Sequence, residues 1–129
     1  MKLEEHSFFA LFTPEVAPKL QALAQVQNFA AQQTIFREGE PPDCMYLVLA
    51  GKVDIVKNPD GGATQVLAQA GANDFFGEYG VLDGRCRSAG AVARGAVTLA
   101  RLDSAPVLGV LNAAPGRCIL ELTRHLINN

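Results

Sequence analysis

Residues 75–92 read FFGEYGVLDGRCRSAGAV, and here a carboxylate directly follows a glycine, Gly77-Glu78, ahead of two arginines, Arg85 and Arg87. Their neighbours are mostly apolar side chains and further glycines. Charge in apolar surroundings is costly unless a partner or ligand compensates it, so this stretch is where chemistry is to be sought. If a short helix begins near Gly77, its first N–H groups lack intrahelical partners and favour an anion. Glycine admits a ligand close to the backbone, and the Arg87 guanidinium is a permanent fork matched to two phosphate oxygens. A carboxylate is no phosphate ligand, but Glu78 suits a nearby sugar hydroxyl. Gly77, Glu78 and Arg87 together describe a sugar phosphate, and a compact loop fits a cyclic nucleotide. The competing reading is a Glu78–Arg87 ion pair that only holds a loop.

Outward from this stretch the chain alternates short apolar runs with breakers. TIFRE, MYLVLA, KVDIVK, TQVLAQA and VTLARL are rich in Val, Ile, Leu and aromatics, and EGEPPD, the AG at 50–51, NPDGG and GAND separate them. Short strands at such spacing predict an antiparallel sandwich or barrel of seven or eight strands, from about residue 24 to 102. NPDGG has the chemistry of a hairpin turn. In KVDIVK, alternation puts Val53 and Ile55 on one face and Lys52, Asp54 and Val56 on the other. Arg94 and Arg101 alternate along strands and are expected to face water.

The ends of the chain read as helical. HSFFALF fits one or two turns, and Thr13-Pro14-Glu15 is a helix start, with Pro18 a flaw near its first turns. Asp103 or Ser104 can cap a segment to about residue 112. Pro115 then opens a last helix, in which Ile119, Leu122 and Leu126 share a face. The expected organisation is one domain over 1–129: helical at 5–22, barrel at about 24–102, helices at about 103–127.

Composition narrows the function. Of 129 residues 49% are hydrophobic and 19% charged, and the net charge is -2, so no basic field attracts nucleic acid. No apolar run approaches the roughly 18 residues a membrane span needs. The acidic N-terminus is unlike a signal peptide, which makes a cytoplasmic chain the expectation. Cys44, Cys86 and Cys118 are three, widely spaced, and read as reduced thiols. His6 and His125 are the only histidines, which leaves no histidine-rich metal cluster and removes the metal-binding barrel enzymes from consideration. No nucleophile triad or P-loop is present either, so no enzyme activity is expected.

FGEYGVLDGRCRSAGAV resembles the phosphate-binding cassette of cyclic nucleotide-binding domains, whose pattern is F-G-E, a variable loop, then R-[ST or A]-A. Phe76, Gly77, Glu78, Arg87, Ser88 and Ala89 match it. Upstream, EGEPPDCMYLVLAGKVDIV resembles the family's E-G-[DE]-x-x-D-x-[LM]-Y-x-[IV]-x-x-G-x-V through Gly39, Asp43, Tyr46, Val48, Gly51 and Val53. The resemblance implies a mainly β double-stranded β-helix (jelly-roll) barrel with an N-terminal helical piece and C-terminal helices. It implies that Glu78 accepts from the ribose 2′-hydroxyl and that Arg87 pairs with the cyclic phosphate. The amides of Gly77, Ser88 and Ala89 would donate to phosphate or ribose oxygens, and Ile55 and Leu67 would form the apolar wall for the base. Asn73 stands where the family usually has glycine, and Cys86 where proline is frequent. Asparagine tolerates positive φ, so the turn is expected to survive.

The function so implied is a non-catalytic sensor that binds cAMP, or alternatively cGMP, and signals by movement of a C-terminal helix. Ser88 does not decide between the two nucleotides. Arg85, Arg124 and His125 read as surface groups, and Cys118 as a small packed residue. No cofactor is implied. The expected partner is an unidentified effector protein or a missing output domain, with no direct DNA binding by this chain, no membrane insertion, and a possible homodimer. The alternative is a degenerate barrel that serves as an interaction or dimerisation module without nucleotide.

Overall fold

The computed structural model describes residues 1–57, 63–78 and 84–113. The NPDGG turn and the segment containing Pro115, Cys118, Arg124 and His125 lie outside the described residues. Eight strands are present among those described: β1 (Gln25–Phe29), β2 (Thr34–Phe36), β3 (Cys44–Ala50), β4 (Val53–Lys57), β5 (Gln65–Ala70), β6 (Phe75–Phe76), β7 (Gly90–Ala93) and β8 (Val97–Asp103). They form two four-stranded antiparallel sheets, ordered β1-β8-β3-β6 and β2-β7-β4-β5, in place of a single closed barrel.

Strand β3 explains the layering. CMYLVLA is buried along all but its last residue, which a strand covered on one face alone would not be. Met45, Leu47 and Leu49 join a core with Phe8, Phe12, Leu20, Leu102, Val107 and Leu111, the helical side of the molecule. Cys44, Tyr46 and Val48 point the other way, to a second core with Phe76, Leu99 and, from the opposite sheet, Val53, Ala70, Ala91 and Ala93. The first sheet is thus the middle layer between helices and the second sheet.

A 3₁₀ helix at Ser7–Leu11 supplies Phe8 and Phe9, as the apolar opening segment led us to expect. Helix α1 (Ala17–Leu23) starts later than expected, because Thr13 caps a preceding turn through Val16 N–H to Thr13 Oγ1 at 3.4 Å. Pro18 is therefore no flaw: it occupies the first turn, where a missing N–H costs nothing. Helix α2 (Ser104–Ala113) begins where Asp103 and Ser104 placed it.

Two expectations on the strands need correction. Val56 is buried although alternation assigns it to the face opposite Val53, since the β4–β5 register shifts between Ile55 and Val56. Arg101 is not a water-facing charge: its Nε lies 2.7 Å from Asp103 Oδ1, and Nη2 lies 3.7 Å from Asp43 Oδ2. Arg94 is exposed as expected, 3.8 Å from Asp54, though in a turn and not in a strand.

Turn geometry agrees with the glycine placements. Gly51 has φ +87° between β3 and β4, a left-handed conformation that glycine adopts without penalty. Asn73 stands at φ +76° before β6, so asparagine does fill the turn where glycine is usual. Its Oδ1 also accepts from Ser7 N–H at 2.8 Å, a bond glycine could not make.

Candidate ligand site

The two sequence motifs meet through the main chain of Arg87. Gly39 N–H donates to Arg87 C=O at 2.7 Å, and Arg87 N–H donates to Glu40 C=O at 2.9 Å. The EGE turn before β3 therefore holds the arginine's backbone, although the two segments lie far apart in sequence.

Arg87 is buried, 6% exposed. Its Nη1 donates to Gly77 C=O at 3.0 Å, and its Nη2 donates to Cys44 C=O and lies 3.5 Å from Cys44 Sγ. Cζ stands 4.2 Å over the Phe36 ring, a cation–π contact, and Asp43 Oδ1 is 3.9 Å from Nη2. Among the described residues, Nε is buried without a hydrogen-bond partner. Gly77, at φ +81°, permits this packing: a Cβ there would lie 2.7 Å from Arg87 Nη1.

Glu78 lies near enough to feel that charge, yet among the described residues no ion pair joins it to Arg87. The loop-holding pair is therefore not what is seen; the guanidinium is held by main-chain carbonyls. Burial pushes the Glu78 carboxyl above the usual carboxylate range, while a main-chain hydrogen bond and the Arg87 charge oppose that rise. Burial also raises the Cys44 thiol, and it pushes the Tyr46 phenol up to about 12.

Glu78 and Arg87 border a cavity of about 550 Å³. Ile55, Leu67, Phe76, Gly77, Glu78, Arg87, Ser88 and Ala89, the residues singled out from the sequence, all line it. Phe36, Ala68, Phe75, Arg85 and Cys86 line it as well. Phe36 enters because β2 pairs with β7, the strand that follows Arg87, Ser88 and Ala89. Its aromatic character was visible in TIFRE; its place under Arg87 was not. Arg85, read from sequence as a surface charge, is exposed and also borders the cavity. Leu67 is 53% exposed, an apolar wall open to whatever enters. No group of side chains suited to a metal ion occurs among the described residues.

Comparison with known proteins places the fold in a family. Residues 26–114 match the family model described as cyclic nucleotide-binding domain. The chain belongs to that family. It is 32% identical over 124 residues to a cAMP-dependent protein kinase regulatory subunit of Hypocrea atroviridis, covering 96% of this chain and 25% of that one. It is 34% identical over 70 residues to the CRP-like cAMP-activated global transcriptional regulator of Mycobacterium tuberculosis, covering 54% and 31%. The chain thus spans about a quarter to a third of these relatives. Among solved structures, the N-terminal domain of a transcriptional regulator from Streptomyces coelicolor superposes with a TM-score of 0.82 at 28% identity, over 98% of this chain and 92% of that one. The regulatory subunit of a cAMP-independent protein kinase A from Trypanosoma brucei superposes with a TM-score of 0.72 at 26% identity, over 86% and 43%. By these names the relatives are regulators. Among the described residues no helix is long and apolar enough to cross a membrane.

Proposed function

We propose that the cavity is a cyclic nucleotide site, with cAMP the favoured ligand and cGMP the other that fits, in a non-catalytic sensor. One observation carries this reading: among the described residues the buried Nε of Arg87 has no partner, and Arg87 lines one cavity with Glu78, Gly77, Ser88 and Ala89. A buried donor left unpaired costs about 1–3 kcal/mol, and a phosphate oxygen would remove that cost. Arg87 pairs with the cyclic phosphate, the amides of Gly77, Ser88 and Ala89 donate to it or to the ribose, and Glu78 accepts from the 2′-hydroxyl. The base lies against Ile55 and Leu67, with Phe76 behind the cassette.

The output is conformational. Ser104, the first residue of α2, donates its N–H to Asp43 C=O and its hydroxyl to Pro42 C=O, both at 2.8 Å. The loop it grips leads directly into Cys44, whose carbonyl holds Arg87. Drawing Arg87 toward a phosphate loosens that carbonyl and so bears on the helix that follows β8. The receiver is an effector protein or an attached output domain in the cytoplasm. This segment itself neither contacts DNA nor enters a membrane, and a homodimer is compatible with the reading.

A second reading has an observation of its own. Both terminal nitrogens of Arg87 are already paired with carbonyls, as in a module that holds its shape without nucleotide. Isothermal titration with cAMP, cGMP and open-chain 5′-AMP separates the two. The sensor reading expects heat from cAMP, less from cGMP, little from 5′-AMP, and weaker binding after Glu78→Gln. No heat from either cyclic nucleotide at about millimolar concentration sinks it.

A further inference from the structure

Cys86 is an exposed thiol on the wall of the cavity, and nothing in the nucleotide reading uses it. Cys44 is its opposite: buried, its thiol pushed up by that burial, and packed against the Arg87 guanidinium. Thiol reactivity follows thiolate character and access, so a reagent entering the cavity meets Cys86 and not Cys44. A second feature of the cavity points to an anionic visitor. Arg87, which lines it, keeps a buried Nε with no partner among the described residues.

We propose that Cys86 is a thiol-modification site that gates the cavity, taking a low-molecular-weight disulfide that carries carboxylates, of the glutathione disulfide class. The Cys86 thiolate attacks one sulfur of the reagent. The reagent's S–S bond breaks as the Cys86 mixed disulfide forms, and the other half leaves as a thiolate that takes up a proton. Cys86 is thereby oxidised to the disulfide level and one reagent sulfur is reduced to a thiol, so no further oxidant is needed. The attached half fills space beside Ser88 and Ala89, and its carboxylates compete for the Arg87 donor. Excess free thiol reverses the exchange. The gating arm rests on the nucleotide reading above; the modification site itself does not.

The test treats the full chain with glutathione disulfide and, in parallel, with neutral bis(2-hydroxyethyl) disulfide, and maps the products by peptide mass. Cys86 is expected to be modified before Cys44. The ratio of its rates with the charged and neutral reagents should be higher in the folded chain than in urea, where Arg85 and Arg87 remain sequence neighbours but the cavity is gone. The singly modified chain should lose cAMP binding, dithiothreitol should restore it, and Cys86→Ser should bind before and after treatment alike. Cys44 reacting first, an unchanged rate ratio in urea, or undiminished cAMP binding by the modified chain overturns the proposal. If the untreated chain binds no cyclic nucleotide, the nucleotide reading fails, and the modification site is decided by labelling order and rate ratio alone.

Discussion

Adding one methyl group at Gly77 should damage the site and the fold together. Gly77 stands at φ +81°, where an L side chain costs about 1–2 kcal/mol. The new Cβ would lie 2.7 Å from Arg87 Nη1 and 3.5 Å from Cys44 C=O. A flexible arginine on the surface would swing aside, but this one is 6% exposed and held by Cys44, Phe36 and the Gly77 carbonyl itself. Moving it breaks the 3.0 Å bond from Nη1, a charged hydrogen bond of about 1.5–3 kcal/mol, part of which repacking recovers. Gly77→Ala should therefore cost about 2–4 kcal/mol, seen in thermal unfolding as a midpoint lower by roughly 8–16 °C. The decisive assay repeats the substitution in an Arg87→Ala background. There the clash is gone and only the backbone strain of about 1–2 kcal/mol should remain, so the two sites couple. Equal costs in the two backgrounds would refute the claim that Gly77 exists to let Arg87 pack.

Four other outcomes follow from the same geometry. Asn73→Ala should destabilise the chain more than Asn73→Gly in urea unfolding, because alanine loses the Ser7 bond and keeps the φ +76° strain, whereas glycine loses the bond alone. Gly51→Ala should be worse than Gly77→Ala, since its Cβ would meet the Ala96 carbonyl at 2.5 Å and main chain cannot swing aside; soluble yield and melting temperature read this. Phe36→Leu keeps apolar bulk but removes the cation–π contact, and should lower stability by about 0.5–2 kcal/mol in a denaturant titration. His6 bonds through both ring nitrogens, to Asp74 C=O at 2.9 Å and from Phe8 N–H at 3.0 Å, and burial lowers its pKa. Its folded value lies below the unfolded one, so its contribution is complete above about pH 6.5 and is lost as pH falls below that. Urea midpoints across this range should fall with acid in the parent and fall less in His6→Phe.

How much was legible in the chain depended on which atoms carried the signal. MYLVLA announced a buried strand through its own side chains, and the residues singled out around Gly77-Glu78 and Arg87 do line one cavity. Strand β1 did not: QVQNF is an edge strand paired only to β8, with Val26 56% exposed, so its polar positions hid the pattern. Strands β6 and β7 escaped for a related reason, one having two residues and the other, GAVA, being built of small residues against Phe36 and Val56. In the site, the partners that fix Arg87 are main-chain groups or side chains from distant segments. Side-chain identity does not report backbone carbonyls, and Phe36 reaches the cavity only through the β2–β7 pairing. Pro18 looked like a break because its position within the helix, not its presence, decides its cost.

The central claim is that Arg87 takes a cyclic phosphate in this cavity. The most direct measurement is the unfolding midpoint of the parent chain and of Arg87→Gln, each with and without cAMP. Ligand at about 100 times its dissociation constant stabilises the folded state by about 2.7 kcal/mol. The account predicts an upward shift of several degrees in the parent, a smaller one with cGMP, and none in Arg87→Gln. An equal shift in Arg87→Gln, or no shift in the parent with either nucleotide, would contradict it.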